Sequence, residues 1–316
     1  MRKVLITGGA GFIGSHIVDQ FAGSLPDCKI VVLDKMTYAA DFRNLSELLI
    51  TNRIELAVGD ICDYDLCERL VEGCDLVIHA AAESHVDNSF HSSLLFTNTN
   101  VLGTHTILEA CRSKNVPRIV HISTDEVYGE VLSGAVDESA QLNPTNPYSA
   151  SKAAAEMIVN GYIHSFKLPV VMVRANNVFG TRQYPEKLIP RCCLSLIQGK
   201  KIPLHGNGKN VRHYLAAKDL AAAIELISHA GELHEIYNIG SPDEFTNIEV
   251  AGAVCNAFGL AFEDHVEFIK DRPFNDRRYA VVWDKITAMG WRPKYSFRDE
   301  VNDIAGWYRR NHQRYT

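Results

Sequence analysis

Lys3-Val4-Leu5-Ile6-Thr7-Gly8-Gly9-Ala10-Gly11-Phe12-Ile13-Gly14-Ser15 stands almost at the head of a chain of 316 residues. The β-branched run at its start predicts a strand, and the residues from about Ile13 to Phe21 predict a helix. The glycines between them satisfy G-x-G-x-x-G (Gly9, Gly11, Gly14) and also G-x-x-G-x-x-G (Gly8, Gly11, Gly14). Such a junction needs glycine for the tight turn, for the approach of backbone to a pyrophosphate, and for packing helix on strand. The helix start adds unpaired N–H groups and the positive end of its dipole. Alone, the glycines mark a turn. Set between a strand and a helix, they mark a dinucleotide site.

Outward from this turn, short apolar runs alternate with helix-length segments, the pattern of a parallel sheet covered on both faces. Ile30-Val31-Val32-Leu33-Asp34, Ile54-Glu55-Leu56-Ala57-Val58, Leu76-Val77-Ile78-His79-Ala80, Arg118-Ile119-Val120-His121-Ile122-Ser123 and Val170-Val171-Met172-Val173 read as further strands. Helices are expected over about 94–113 and from Tyr148 to Phe166, and right-handed crossovers would join the strands into one doubly wound sheet. The expected fold class is therefore α/β, a Rossmann-type doubly wound parallel sheet with a smaller mixed α/β C-terminal lobe for substrate. The expected division is a cofactor domain over 1–174 and a substrate lobe over 175–316. The lobes interleave, because about 210–242, with a helix from Asp219 to His229 and the strand Ile236-Tyr237-Asn238-Ile239, is expected to return to the first domain.

Asp34 ends the second strand, 20 residues after Gly14, where an acid accepts both hydroxyls of an adenine ribose. It also repels a 2′-phosphate, so NAD is expected over NADP, although Lys35 offers a cation that could pair with that phosphate. Asp60 ends the third strand and is either a contact to the adenine amine or a solvated turn aspartate.

A net charge of −6 argues against a nucleic-acid partner, which calls for a basic field. No apolar run has the length of a membrane span and the N-terminus opens directly into a strand, so the expected compartment is the cytoplasm. Eight cysteines and thirteen histidines show no ligand spacing, and no metal site is expected.

Tyr148 and Lys152 stand four apart at a helix start, which puts them on one face. The ammonium is expected to lower the phenol pKa so that the tyrosine can take a proton from a sugar hydroxyl. Read alone, Y-x-x-x-K is an ordinary surface-helix pattern; after the fifth strand of a dinucleotide fold it becomes a catalytic candidate. Ser123-Thr124-Asp125-Glu126 lies at the carboxyl end of that strand, where open α/β sheets hold their ligands. Its two acids could serve as proton donor and base, or form a solvated loop pair.

The chain resembles the extended short-chain dehydrogenase/reductase superfamily and, within it, the nucleoside-diphosphate-glucose 4,6-dehydratases. The resemblance runs nearly end to end. It is carried by the glycine turn, Ala81-Ala82-Glu83-Ser84-His85-Val86-Asp87, Ser123 to Gly129, Pro147-Tyr148-Ser149-Ala150-Ser151-Lys152, Tyr184-Pro185-Glu186-Lys187-Leu188-Ile189-Pro190 and Asp271 to Tyr279. It implies a 4-keto-6-deoxy sugar as product, with a retained NAD that takes a hydride from C4 and returns it to C6. Tyr148 would deprotonate the C4 hydroxyl, Thr124 orient it and Lys152 hold the nicotinamide ribose. Glu126 would take the C5 proton and Asp125 protonate the departing C6 hydroxyl. The cofactor is expected at Gly8, Gly11, Phe12, Ile13, Gly14, Asp34 and Lys35. Asp60, Ile61, Ala80 and Ala82 would complete its site, beside Tyr148 and Lys152. The sugar nucleotide, UDP-glucose or dTDP-glucose, is expected at Ser84, Asn177, Glu186, Lys187 and Asn247, with Arg212 and Arg272 at its diphosphate.

Two departures leave the base and the hexose open. Phe274-Asn275 stands where thymidine-selective relatives often carry Gly-His, and resembles the UDP-glucose enzymes. His213-Tyr214 follows Arg212 where Asp-Trp or Asp-Phe is more usual. The alternatives are a 4-epimerase or decarboxylase on the same scaffold and, in another class, a dinucleotide-binding regulatory protein without chemistry. The resemblance further implies a homodimer, with the helices near 94–113 and after Tyr148 forming a four-helix bundle between subunits.

Overall fold

The β-branched runs pair as seven parallel strands in the order β10-β6-β5-β4-β1-β2-β3. They are β1 (Lys3–Thr7), β2 (Lys29–Asp34), β3 (Ile54–Val58), β4 (Leu76–His79), β5 (Ile119–Thr124), β6 (Val170–Ala175) and β10 (Ile236–Ile239). The structure is a computed structural model and describes residues 1–271 and 275–315. Alternation along each strand divides the core into two. Val4, Ile6, Ile30, Val32 and Ile78 pack on one face of the sheet, whereas Leu5, Val31, Leu33 and Val77 pack on the other. Both faces are covered, as an all-parallel sheet requires.

The strand order reverses between β1 and β4, so the crevice for a ligand opens beyond the carboxyl ends of those two strands. The first helix, Phe12–Ser24, packs beside Ala217–Ala230, and the latter leads to β10. Within 210–242, therefore, that helix and β10 join the large sheet. β9 (Val211–Ala216) instead lies in a three-stranded sheet, between β7 (Asn177–Phe179) and β11 (Glu244–Thr246). β8 (Ile202–His205) pairs with β12 (Val266–Ile269). A separate core of Phe179, Cys192, Tyr214, Val254, Phe297 and Tyr308 packs this smaller part.

The helix expected over 94–113 is present but interrupted. Ser93–Phe96 and Gly103–Ser113 are α-helical, and Thr97–Leu102 widens into a π-turn. The turn carries Asn100, whose amide clamps residue 83 through both backbone groups (2.8 and 3.0 Å) and also donates to Ser151 Oγ. Period alone did not foretell that turn, which is a common feature of helices that serve a site. Among the described residues, no helix is long and apolar enough to cross a membrane.

Candidate active site

A single cleft of about 580 Å³ runs from the glycine turn to the smaller sheet. Its floor at one end is the β1-to-helix junction, with Gly8, Gly11, Phe12, Ile13 and Gly14 on its wall. Gly8 has φ +70°, and a Cβ there would lie 2.7 Å from Ala81 Cα; at Gly14 one would lie 2.0 Å from Gly8 O. These two glycines let strand, turn and helix close on each other. Gly11 differs: a Cβ would meet only Gly8 O, at 3.3 Å. It is the N-cap of Phe12–Ser24 and no side chain caps that helix, so its first-turn N–H groups are offered to the cleft. An anionic pyrophosphate fits this cradle.

Asp34 ends β2 and is buried, with Oδ2 accepting from Ala10 N (3.0 Å) and Oδ1 from Met36 N (2.9 Å). Burial raises its pKa and the backbone donors oppose that. Each oxygen keeps a lone pair for a ribose hydroxyl. Lys35 is engaged by Asp60, with Nζ 2.6 Å from Oδ2, and Asp60 Oδ1 accepts from Cys62 N. The cation that tempered the choice of cofactor is thus already neutralised, and the fit favours NAD over NADP. Asp60, Ile61, Ala80 and Ala82 line the same end. The residues present suit an NAD molecule.

The chemistry-bearing groups converge at the middle of the cleft. Thr124 is the last residue of β5, and Asp125–Tyr128 turn away from it as a 3-10 segment. The helix Pro147–Phe166 begins in a capping box made by Asn146 and Ser149, with proline at its first position. Tyr148 and Lys152 therefore sit one turn apart at a fixed helix start, 9% and 4% exposed. Asp125 and Glu126 are 2% and 8% exposed, so a solvated loop pair is excluded.

Asp125 Oδ2 accepts from Asn176 Nδ2 (2.8 Å), and Oδ1 from Thr124 Oγ1 (3.3 Å). Its pKa is pushed up to about 7, chiefly by burial, with the Asn176 bond opposing. Glu126 is raised by burial as well, but Lys187, Arg212 and the Asn146 amide all favour its charged form. The two neighbours in sequence thus face different partners.

One expectation needs correction. Lys152 Nζ donates to Ile122 O (2.7 Å), and burial, opposed by Glu156, brings its pKa down to about 8. The Tyr148 phenol is held well above its ordinary range, first by burial and then by the Glu126 charge; a hydrogen bond with Thr124 works the other way. Spacing placed the pair on one face, but the ammonium is directed at a carbonyl and does not acidify the phenol.

Toward the smaller sheet the cleft is lined by Ser84, Asn177, Glu186, Lys187, Arg212 and Asn247. Lys187 Nζ donates to Ser84 O (2.7 Å), which ties the loop after β4 to the loop before Leu188–Ile197. The Arg212 guanidinium lies over the Tyr279 ring, 4.6 Å from its centroid, and its Nη1 donates to Val211 O (2.8 Å), while the residue lines the cleft. Arg272 and Phe274 lie outside the described residues. Asn275 lines the cleft, and its side chain donates to Asp271 Oδ1 (2.9 Å). Among the described residues, no group of three metal-ligating side chains comes together.

Sequence reasoning passed over several members of the site. Asn176, the neighbour of the expected substrate contact Asn177, holds Asp125. Asn146 reaches Glu126 at 3.5 Å, and Asp276 accepts from Thr145 Oγ1 (2.8 Å) and from the Tyr279 hydroxyl. The Asn-Asn pair and the Asn-Pro helix start were visible signals; the role of Asp276 depends on residues far away in sequence.

The family described as GDP-mannose 4,6 dehydratase matches residues 5–304. The trifunctional UDP-glucose 4,6-dehydratase/UDP-4-keto-6-deoxy-D-glucose 3,5-epimerase/UDP-4-keto-L-rhamnose-reductase of Arabidopsis thaliana is 44% identical over 98% of this chain and 47% of that protein. The chain thus spans about half the length of such plant relatives. The dTDP-D-glucose 4,6-dehydratase of Mus musculus is 40% identical over 98% of this chain and 89% of its own. In structure the chain matches DesIV, the dTDP-glucose 4,6-dehydratase of Streptomyces venezuelae solved with NAD bound. The TM-score is 0.96 at 41% identity, covering 99% of this chain and 98% of that one. With a seven-stranded doubly wound sheet, a capless glycine cradle and a buried Thr-Asp-Glu turn facing Tyr148, the chain belongs to the GDP-mannose 4,6 dehydratase family of the extended short-chain dehydrogenase/reductases.

Proposed function

We propose that the protein is a nucleotide-sugar 4,6-dehydratase, a hydro-lyase that converts UDP-glucose or dTDP-glucose into the 4-keto-6-deoxy product. The observation that carries the reading is the buried pair Asp125 and Glu126 beside Tyr148, since an epimerase that only removes and returns a hydride needs neither acid. Bound in the glycine cradle, NAD would supply the hydride acceptor at C4, the hydride returned to C6, and a cationic ring beside the phenol.

The chain's own groups divide the proton transfers. Tyr148, hydrogen-bonded with Thr124, would accept the C4 hydroxyl proton as its phenolate, the form that the positive charge of bound NAD and the Thr124 bond would favour against the burial that holds the phenol protonated. Once C4 is a ketone, the C5 proton is acidic, and Glu126 takes it; burial raises that acid's pKa, and Lys187 and Arg212 favour its charged form against it. Asp125 has a pKa of about 7 and faces the neutral Asn176 amide, so it holds a proton to give to the leaving C6 hydroxyl. Water departs, and burial of all three groups keeps bulk solvent from the intermediate. Ser84, Asn177, Glu186, Lys187, Arg212, Asn247 and Arg272 are proposed to hold the sugar nucleotide. The cofactor residues are those of the glycine turn with Asp34, Lys35, Asp60, Ile61, Ala80 and Ala82.

A homodimer is part of the proposal. Leu94, Leu102 and Met157 are 84%, 49% and 54% exposed on the two packed helical segments 93–113 and 147–166, and a second copy applied there would bury them. Light scattering that returns the mass of one chain overturns the dimer.

The test of the activity is incubation with UDP-glucose, dTDP-glucose and GDP-mannose in separate reactions. Loss of one water with a new C6 methyl signal by NMR supports the dehydratase and identifies the base. A product of unchanged mass inverted at C4 would point to an epimerase instead.

A further inference from the structure

His85 follows β4 and is 9% exposed, yet neither ring nitrogen has a hydrogen-bond partner. Two carboxylates flank it on opposite sides: Glu186 Oε2 lies 3.6 Å from Nδ1, and Asp87 Oδ2 lies 3.6 Å from Nε2. Both gaps are a few tenths of an ångström beyond an N–H···O bond. A buried donor left unmade is costly, so such a ring is poised to bond once either loop shifts slightly.

The carboxylate across the cleft has lone pairs for a further donor. Glu186 faces Glu83, whose pKa is raised by burial and then by Glu186, and Tyr38, whose phenol is raised by burial, then by the Glu186 charge and by its hydrogen bond to that carboxylate. The cation next to it in sequence, Lys187, directs Nζ to Ser84 O. His85 is therefore a group able to give Glu186 a directed hydrogen bond from the opposite loop. A neutral imidazole has one N–H for two carboxylates, whereas the imidazolium serves both. Burial lowers the His85 pKa and favours the neutral ring, with Lys187 acting the same way, whereas Glu186, Asn88 and Asp87 favour the imidazolium.

We propose that His85 is a positioning residue that fixes the Glu186 carboxylate against the sugar as the 83–87 and 184–187 loops draw together on substrate. This rests on the reading that Glu186 touches the substrate.

The test is a double-mutant cycle in NAD-loaded protein, with kcat and KM measured on whichever of UDP-glucose and dTDP-glucose is turned over. Glu186→Gln and His85→Ala are each expected to raise KM by about 10-fold with a smaller change in kcat, and the double variant to match Glu186→Gln alone within about 2-fold. His85→Asn, which keeps an N–H near the Nδ1 position, is expected to recover most of the loss. NAD content and thermal midpoint are recorded for every variant, and His85→Leu runs the same cycle if the alanine variant does not fold. A double variant near the product of the single losses, about 100-fold, overturns the inference and leaves the reading of Glu186 intact. An unchanged KM and kcat in Glu186→Gln overturns that reading, and the inference with it.

Discussion

Replacing Asn176 by alanine removes a donor 2.8 Å from Asp125 Oδ2 and nothing else that touches the acid. Asp125 has a pKa of about 7 because burial disfavours its charge, with the Asn176 hydrogen bond as the largest opposing cause. A hydrogen bond to a charged group contributes about 1.5–3 kcal/mol, which is about 1–2 pKa units. Loss of the donor therefore raises Asp125 to about 8–9. As the proposed proton donor, Asp125 would work in its protonated form, so kcat should fall as pH rises through its pKa. The alkaline limb of the kcat–pH profile should then move upward by about 1–2 units, giving a variant more active than wild type relative to its own maximum in mild alkali. The assay is formation of the 4-keto product over about pH 6–10, with NAD content checked at each end. Asn176 also accepts from Ser241 N (3.3 Å), and Asn176→Asp keeps an acceptor there while adding a second acid, which should move the limb the same way. A limb that stays in place, or moves toward acid, refutes Asp125 as the proton donor.

Other consequences are simpler to read. Asp125→Asn should stabilise the protein in alkali: an acid raised to about 7 contributes stability below its ordinary pKa and loses it as pH rises through 7. The gain has an upper bound of about 4 kcal/mol at pH 8.5 and vanishes near pH 4, measurable as the urea midpoint at both values. Tyr148→Phe should lower kcat by about 10²–10⁴ with NAD content unchanged, read by product formation and by cofactor extraction. Gly14→Ala forces a Cβ to 2.0 Å from Gly8 O, so the purified variant should carry little NAD and melt earlier. Glu156→Leu strands the buried Arg174 guanidinium, whose partner oxygen lies at 2.6 Å, and should cost about 3–5 kcal/mol in urea unfolding.

The strands were legible because β1 to β6 alternate faces and are bounded by glycine, aspartate or proline, so period and punctuation agree. β10 was legible for the same reason, although its place beside β6 required the helix Ala217–Ala230 to cross over the sheet. The glycine turn and the Tyr148/Lys152 pair were legible because each is local: one turn, one helix start. What could not be read was direction. Lys152 points to Ile122 O because the start of its helix packs against β5, a tertiary fact with no signature at positions 148–152. The electrostatics of Asp125 and Glu126 likewise depend on Asn176, Arg212 and Lys187, which come from separate elements. The π-turn around Asn100 was hidden because its residues keep helical spacing on either side.

The position of the proposed catalytic groups traces back to one buried ion pair that touches none of the cleft. Arg174, on β6, is held by both oxygens of Glu156, and its Nη1 donates to the Tyr128 hydroxyl (2.7 Å). Tyr128 ends the 3-10 segment that carries Asp125 and Glu126, and its hydroxyl donates onward to Asn238 of β10 (2.8 Å). Glu156 belongs to the helix that carries Tyr148 and Lys152, and its charge favours the protonated lysine. One guanidinium thus sets the acid pair relative to the tyrosine and lysine. A hydrophobic replacement of similar volume could match its stability but not its directions, because only a planar donor fork meets a carboxylate and a phenol at fixed angles. The pair is better understood as fixing geometry than as supplying stability, and that explains why a fully buried charge is retained one layer behind a site whose acids must be placed to within a fraction of an ångström.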